Sequence, residues 1–361
     1  MNKNYYAIIM AGGIGSRFWP ISRTSHPKQF IDILGTGKTL IQNTYERFLK
    51  ICPKENIYVV TNEIYTDLVK TQLPDMTDAQ ILTEPVMRNT APCVAYGCYK
   101  IESLNPDAVI VVAPSDHLIL NEAGFIESIE ASLKTAEEHK CLVTLGIMPS
   151  RPDTGYGYIQ YNEEVIDDKF HKVKTFTEKP TLEIAKTFIQ SGDFLWNAGI
   201  FIWSAKAIVS AFDKYLPDMH EIFAEARSVY NSDNEKLHVH NAYQRCTNIS
   251  IDYGIMEKAD NVYVLPSEFG WSDLGTWASV YQLVEKDYVG NAVIPAEKVI
   301  MYDSSNCMVN VPDDKLVILK GLHDYIVVES NNTLLICPKE DEQNVKQVVA
   351  DVKQKFGTKY I

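Results

Sequence analysis

An α/β protein built on a doubly wound, mixed but mainly parallel sheet, with a small β unit after it, is the fold class this sequence predicts. Three observations lead there. Short apolar runs alternate with amphipathic helical stretches, a glycine-rich turn follows the first run, and from about Val299 the strands lose their intervening helices.

The apolar runs are Ala7 to Met10, Ile57 to Thr61, Val109 to Ala113 and Leu142 to Gly146, and the helical stretches include Leu40 to Ile51 and Phe125 to His139. Continuous rather than alternating apolar strands indicate a parallel sheet covered on both faces. Ligands of such sheets bind at the carboxyl ends of the strands, where the glycine-rich turn and the segment Pro114 to His117 both fall. After Val299 come VIMYD, CMVNV, LVILKG, YIVVES and TLLICP, which predict a separate β unit closed by a polar helix from about Glu340. Two domains are expected, a catalytic one over 1–288 and a β unit over 289–361, with YNSDNEKLH and VPDDK as exposed loops.

The 361 residues, 46% of them hydrophobic, suffice for one large domain and a smaller one. No apolar run approaches the roughly 18 residues of a membrane span, and none has the form of a signal peptide, so a cytoplasmic location is expected. A net charge of −13 argues against nucleic acid as a partner. The seven scattered cysteines form no metal-ligand spacing and read as small buried hydrophobes.

The first run leads into AGGIGSRFWPISRTSHPKQF, with glycines at 12, 13 and 15 and cations at Arg17 and Lys28. Such a turn exposes backbone N–H groups and can cradle a polyphosphate. It is not a dinucleotide fingerprint, because Phe18 stands where a glycine or alanine is needed. Nor is Gly37-Lys38-Thr39 a P-loop, since the leading glycine would be Asp32; a turn before the following helix is expected there.

The pattern GGxGxR, a proline, then PKQF resembles the signature loop of the sugar nucleotidyltransferases. EPVMRNTAPC, APSDH, TGYGYI, FTEKP, NAGIF and FGWSDLGTW follow in the order and spacing of that family's guanylyltransferase branch, so the resemblance spans nearly the whole chain. It implies a Rossmann-like, glycosyltransferase-A-like catalytic domain and a β unit resembling a left-handed β-helix. Members of that branch join GTP and mannose 1-phosphate into GDP-mannose and release pyrophosphate. Bifunctional members continue into a cupin-like isomerase domain; this sequence stops before one could fit, so isomerase activity is expected to be absent.

The attacking oxygen in that reaction belongs to a phosphate monoester, whose second pKa of about 6 leaves it ionised at neutral pH. No general base is needed; positioning, cations and metal must overcome the repulsion between anions. The resemblance then implies roles. Gly12, Gly13 and Gly15 approach the nucleotide, and Arg17 and Lys28 hold the departing pyrophosphate. Arg88, Asn89 and Thr90 line the base pocket with Glu84 close by, and Ser115 lies beside the nucleotide. Asp116 and Asp273 share one Mg2+, although the sequence by itself leaves each open to a cap or turn role. Lys179 holds the sugar phosphate, while Gly155, Glu178 and Asn197 contact hexose hydroxyls. His117 is expected to be structural. Two other readings stay open: a guanylyltransferase for a related sugar such as a manno-heptose, and a non-catalytic sugar-nucleotide sensor. Five apolar strands in the β unit also suggest a homodimer, although the chain's own catalytic domain could equally cover them.

Overall fold

The computed structural model describes residues 1–361. They form two compact units, the first of Met1–Gly12, Thr44–Ser115 and Ile119–Trp271, the second of Gly13–Asn43, Asp116–Leu118 and Ser272–Ile361.

The first unit is organised by a nine-stranded sheet: β1 (Tyr5–Met10), β2 (Ile57–Asn62), β3 (Ile81–Glu84), β4 (Val109–Pro114), β5 (Leu142–Ile147), β6 (Gly157–Ile166), β7 (Phe170–Glu178), β8 (Phe194–Ser204) and β9 (Val262–Ser267). Their order is β3-β2-β1-β4-β8-β5-β9-β7-β6. Only β7 and β8 run against the other seven, so the sheet is mixed but mainly parallel in direction. The four expected strands are all present, each extended by one or two residues at its ends. Their continuous apolar character has a direct cause: Ala7, Ile8, Ile9, Val59, Val60 and Ile110 to Val112 are buried on both faces of the sheet. Edge strand β6 contrasts with them, because its outer half, Asn162 to Val165, faces solvent.

The helix Thr90–Leu104 packs across β1, β2 and β3 and is buried from Ala91 to Ile101. Asn89 caps it, its side chain accepting the Thr90 backbone N–H at 2.9 Å, and Pro92 sits in the first turn, where a missing N–H costs nothing. One expected loop is instead a helix: Glu235–Arg245 begins inside YNSDNEKLH. Glu235 is buried because Lys100 Nζ reaches its two oxygens at 2.7 and 2.6 Å and Tyr96 donates to it at 2.7 Å. That charge partner lies 135 residues earlier in the chain, so no local pattern announces it. VPDDK lies outside any strand, with Val311 buried and Asp313 to Lys315 exposed.

In the second unit, Phe18, Ile33 and Leu40 share a core with Leu274, Trp277, Met308 and Ile326. This explains why the spatial division differs from a cut at 288/289: the glycine-rich loop folds with the C-terminal strands. Those strands are β10 (Ala292–Ile294), β11 (Val299–Tyr302), β12 (Met308–Asn310), β13 (Val317–Lys320), β14 (Tyr325–Ser330) and β15 (Thr333–Pro338). β10, β12 and β14 stack in parallel, β11 and β13 do the same in a second sheet, and β15 returns antiparallel on β14. Short strands stacked in parallel from successive turns are β-helix-like. β10 precedes the first of the five strands expected from Val299 onward, and the closing α-helix spans Val345–Phe356 after a short 3-10 turn.

The glycine-rich loop is tied into this unit at two further points. Trp19 is buried against Leu335 and Val345 and donates its Nε1–H to the Tyr360 carbonyl at 2.7 Å, while Arg23 donates to the Ser330 and Asn331 carbonyls and to Thr333 Oγ1. Gly37-Lys38-Thr39 is a turn before the helix Leu40–Phe48, which ends one turn earlier than the apolar pattern suggests. No helix is long and apolar enough to cross a membrane. All seven cysteines are free thiols, six of them buried and Cys337 half-buried.

Candidate functional site

Within the second unit, the loop brings together Gly13, Gly15, Arg17 and Lys28 with Asp116 and Asp273. Gly15 has a φ of +65°, and a Cβ there would stand 2.6 Å from Lys28 Cβ, so only glycine lets the loop close over the lysine. A Cβ at exposed Gly13 would meet nothing within 4 Å, which leaves its backbone open to a ligand. Arg17 follows on a 3-10 turn whose next residue, Phe18, is anchored edge-on to Trp277 at 5.1 Å. The Arg17 Nε is buried and has no hydrogen-bond partner. A buried donor left unsatisfied costs about 1–3 kcal/mol, so this guanidinium is poised for an acceptor such as a phosphate.

Lys28 is the centre of this group. Its side chain is only 5% exposed, and Nζ lies 2.9 Å from Asp116 Oδ2 and donates to the carbonyls of Asp273 and Leu274 at 2.8 and 3.0 Å. One ammonium thus joins two positions that are 157 residues apart in sequence, 116 and 273. Burial disfavours the charged form of Asp116, but Lys28 and then His117 outweigh it and hold the carboxyl below its ordinary value. His117 Nε2 is 4.0 Å from Asp116 Oδ1. Asp273 accepts the Gly275 N–H at 2.9 Å, and the buried residue between them, Leu274, takes a φ of +44°. A non-glycine residue there is strained, and such strain concentrates at functional sites. Asp116, kept ionised by Lys28, offers a hard oxygen donor, while Asp273 meets Lys28 through its backbone carbonyl and turns its carboxylate to the Gly275 N–H; carboxylate oxygens of this kind are the chemistry that suits the magnesium the sequence resemblance implies.

The first unit holds the other two groups. At the end of β3, Glu84 is buried, lies in van der Waals range of a Cβ built on Gly12, and accepts the Tyr243 hydroxyl at 2.9 Å. Burial pushes its carboxyl up to about 7, against the smaller opposing effect of the Tyr243 hydrogen bond. Arg88, like Arg17, has a buried Nε without a partner. Asn89 and Thr90 are committed locally: Asn89, at φ +66°, caps the helix, and Thr90 Oγ1 accepts the Ile251 N–H at 2.9 Å. Ser115 is buried; its N–H donates to the Met10 carbonyl, and its own carbonyl accepts the Thr44 hydroxyl.

Glu178 and Lys179 at the end of β7 meet Asn197 of β8 in the remaining group. Lys179 takes a φ of +49°, donates its backbone N–H to the Tyr156 carbonyl, and pairs through Nζ with Glu178 Oε1 at 2.5 Å. The glycine packed against this group is Gly157. A Cβ on Gly157 would collide with Glu178 Oε2 and stand 3.4 Å from Asn197 Cβ, whereas Gly155 sits in an exposed turn held by Asp153. Both glycines lie in TGYGYI, and only the pairing of β6 with β7, Gly157 opposite Glu178, distinguishes them. A second residue absent from the sequence reading is Asp252, whose Oδ1 accepts from Asn197 Nδ2 at 2.8 Å.

The nucleotidyl transferase family matches residues 6–288, and the MannoseP isomerase/GMP-like beta-helix domain matches residues 297–352. An Escherichia coli mannose-1-phosphate guanylyltransferase is 34% identical over 358 residues, covering 98% of this chain and 75% of that protein. The Salmonella montevideo mannose-1-phosphate guanylyltransferase is 35% identical, with 96% and 73% covered. A crystal structure from Thermus thermophilus, described as a mannose-1-phosphate geranyltransferase, superimposes with a TM-score of 0.86 at 30% identity over 97% of this chain and 99% of that one. The chain belongs to the nucleotidyl transferase family, in its mannose-1-phosphate guanylyltransferase branch.

Proposed function

We propose that this enzyme transfers GMP from GTP to α-D-mannose 1-phosphate, releasing pyrophosphate and forming GDP-mannose. The observation that carries the reading is the Lys28 ammonium, which binds Asp116 and the Asp273 and Leu274 carbonyls next to a loop whose Arg17 keeps an unpartnered buried Nε. Such a site is suited to a polyphosphate and to the charge that grows on departing pyrophosphate.

Arg17 takes the β- and γ-phosphates, while Lys28 contributes charge and fixes the two aspartates. Asp116 and Asp273 would hold Mg2+, which when bound neutralises phosphate charge. The unpartnered Nε of Arg88 and the buried Glu84 serve the nucleotide, and Lys179 neutralises the sugar phosphate. The already ionised monoester attacks the α-phosphorus in line with the leaving pyrophosphate. Glu178 and Asn197 read hexose hydroxyls, because a misplaced hydroxyl leaves one of these polar groups unpaired.

Pyrophosphate release measured for four nucleoside triphosphates against mannose, glucose, fucose and heptose 1-phosphates tests the proposal. The greatest turnover is expected for GTP with mannose 1-phosphate. No turnover of that pair would sink the reading, and preference for a heptose phosphate would replace the sugar assignment. The exposed apolar side chains Ile300, Leu316, Ile318, Leu334 and Ile336 of the β unit support a homodimer. Sedimentation at low concentration checks this, a clean monomer counting against it.

A further inference from the structure

The polar environment of Asn197 contains a carboxylate that neither the motif strings nor the proposed chemistry accounts for. Asp252 opens a π-helical turn, Asp252–Met256, in which the Glu257 N–H reaches back to the Asp252 carbonyl at 2.9 Å. Single π turns interrupt regular helix geometry and are frequent at functional sites. Here the turn presents Asp252 to Asn197 of β8, 55 residues earlier in sequence, with a 2.8 Å hydrogen bond from Nδ2 to Oδ1.

The other end of the same amide is also held. Asn197 Oδ1 accepts the Gly199 N–H at 3.0 Å and lies 3.4 Å from the Thr144 hydroxyl. An amide bound at both ends cannot flip, and it keeps one N–H of Nδ2 in a fixed direction. The Gly199 N–H can bind only the oxygen end, which fixes the amide's orientation and leaves its nitrogen end to Asp252. A carboxylate is kept in this half-buried place although burial, and next the Glu178 carboxylate, raise its pKa. An ordinary packing role would not require it.

We infer that Asp252 is a positioning residue for the sugar subsite: it locks the Asn197 amide so that its remaining N–H and the Glu178 carboxylate together read the hydroxyls of a hexose 1-phosphate. The inference rests on the proposed sugar-binding role of Glu178, Lys179 and Asn197. It assigns specificity to a residue outside the NAGIF and FTEKP strings.

The test compares Asp252→Ala, Asp252→Asn, Asn197→Ala and the double variant Asn197→Ala/Asp252→Ala, each checked for folding by thermal unfolding. Steady-state kinetics and calorimetric titration with mannose 1-phosphate are the readouts. Asp252→Ala is expected to raise KM for mannose 1-phosphate at least tenfold, to leave KM for GTP within twofold, and to narrow discrimination between mannose and glucose 1-phosphates. Asp252→Asn keeps an acceptor for Asn197 Nδ2 and should restore most of the affinity. The double variant should be no worse than Asn197→Ala, because residues acting through one contact are not additive. Additive effects, an equal rise in both KM values, or no rescue by Asn would overturn the inference. If the alanine variant does not fold, Asp252→Asn against Asp252→Ser supplies the same contrast in calorimetry. Wild-type protein that neither binds nor turns over mannose 1-phosphate removes the functional reading as well; wild-type turnover with unaffected Asp252 variants removes only this inference.

Discussion

Lys28 and Lys179 carry the same charge and are built in opposite ways. The Lys28 side chain is 5% exposed and spends its ammonium on three protein oxygens, whereas the Lys179 side chain is 61% exposed and touches only the adjacent Glu178. On the proposed roles, the difference follows the demands of the two phosphates. On the leaving-group side, charge grows during the reaction, and preorganised groups in a water-poor setting are most effective there. On the acceptor side the phosphate arrives already charged, and a mobile cation suffices to capture it. Rigidity is concentrated where charge develops.

The strongest way to break this comparison is Lys28→Met. It leaves the Asp116 carboxylate and two carbonyls without their donor, and stranding one partner of a buried pair costs about 3–5 kcal/mol. Turnover should fall on the order of a thousandfold with the loss of a preorganised cation. Urea unfolding together with a pyrophosphate-release assay checks both. A variant of unchanged stability would mean that Lys28 is not the pin between Asp116 and the Asp273 segment.

Glu84→Gln sharpens the comparison on the nucleotide side. The Glu84 carboxyl titrates at about 7 in the folded chain, against an ordinary value of about 4.3 in the unfolded one. Between these values the folded state holds a proton that the unfolded state has lost, so the contribution to stability is complete below about pH 4.3. It falls as pH rises and is gone above about 7, a loss of about 4 kcal/mol. Glutamine keeps an acceptor for the Tyr243 hydroxyl and carries no charge, so the variant should lose this slope. Denaturant midpoints at about pH 5 and about pH 8, on either side of the folded-state value, measure it, and an unaltered pH difference in the variant would refute the assignment.

How much of this was legible in sequence depends on whether the cause was local. Strands β1, β2, β4 and β5 read correctly because burial on both faces writes itself as an unbroken apolar run. The tight turn of the glycine-rich loop was legible because Gly15 needs a left-handed conformation that is visible as a residue type. The sequence was silent where the cause was distant. Glu235 looks like part of a solvated loop until Lys100 is placed against it, and Gly157 cannot be told from Gly155 without the register of β6 on β7. Asp252 carries no motif; only the fold brings it to Asn197. The burial of Lys28 was equally hidden, since PKQF records a cation and not its surroundings.

Lys179→Ala is the counterpart of Lys28→Met and the smallest expected effect on stability. An exposed ion pair between neighbouring residues contributes about 0–1 kcal/mol, so unfolding should move by less than about 0.5 kcal/mol. Replacing a residue at φ +49° by alanine keeps a side chain in the same strained region and adds no relief. The functional effect should be selective instead: KM for mannose 1-phosphate rises about tenfold or more, in line with the loss of a charge-assisted contact to phosphate, while KM for GTP holds. Should Lys179→Ala destabilise the protein as much as Lys28→Met, the contrast between a buried pin and a mobile capture group would be wrong, and both lysines would have to be read as parts of one rigid framework.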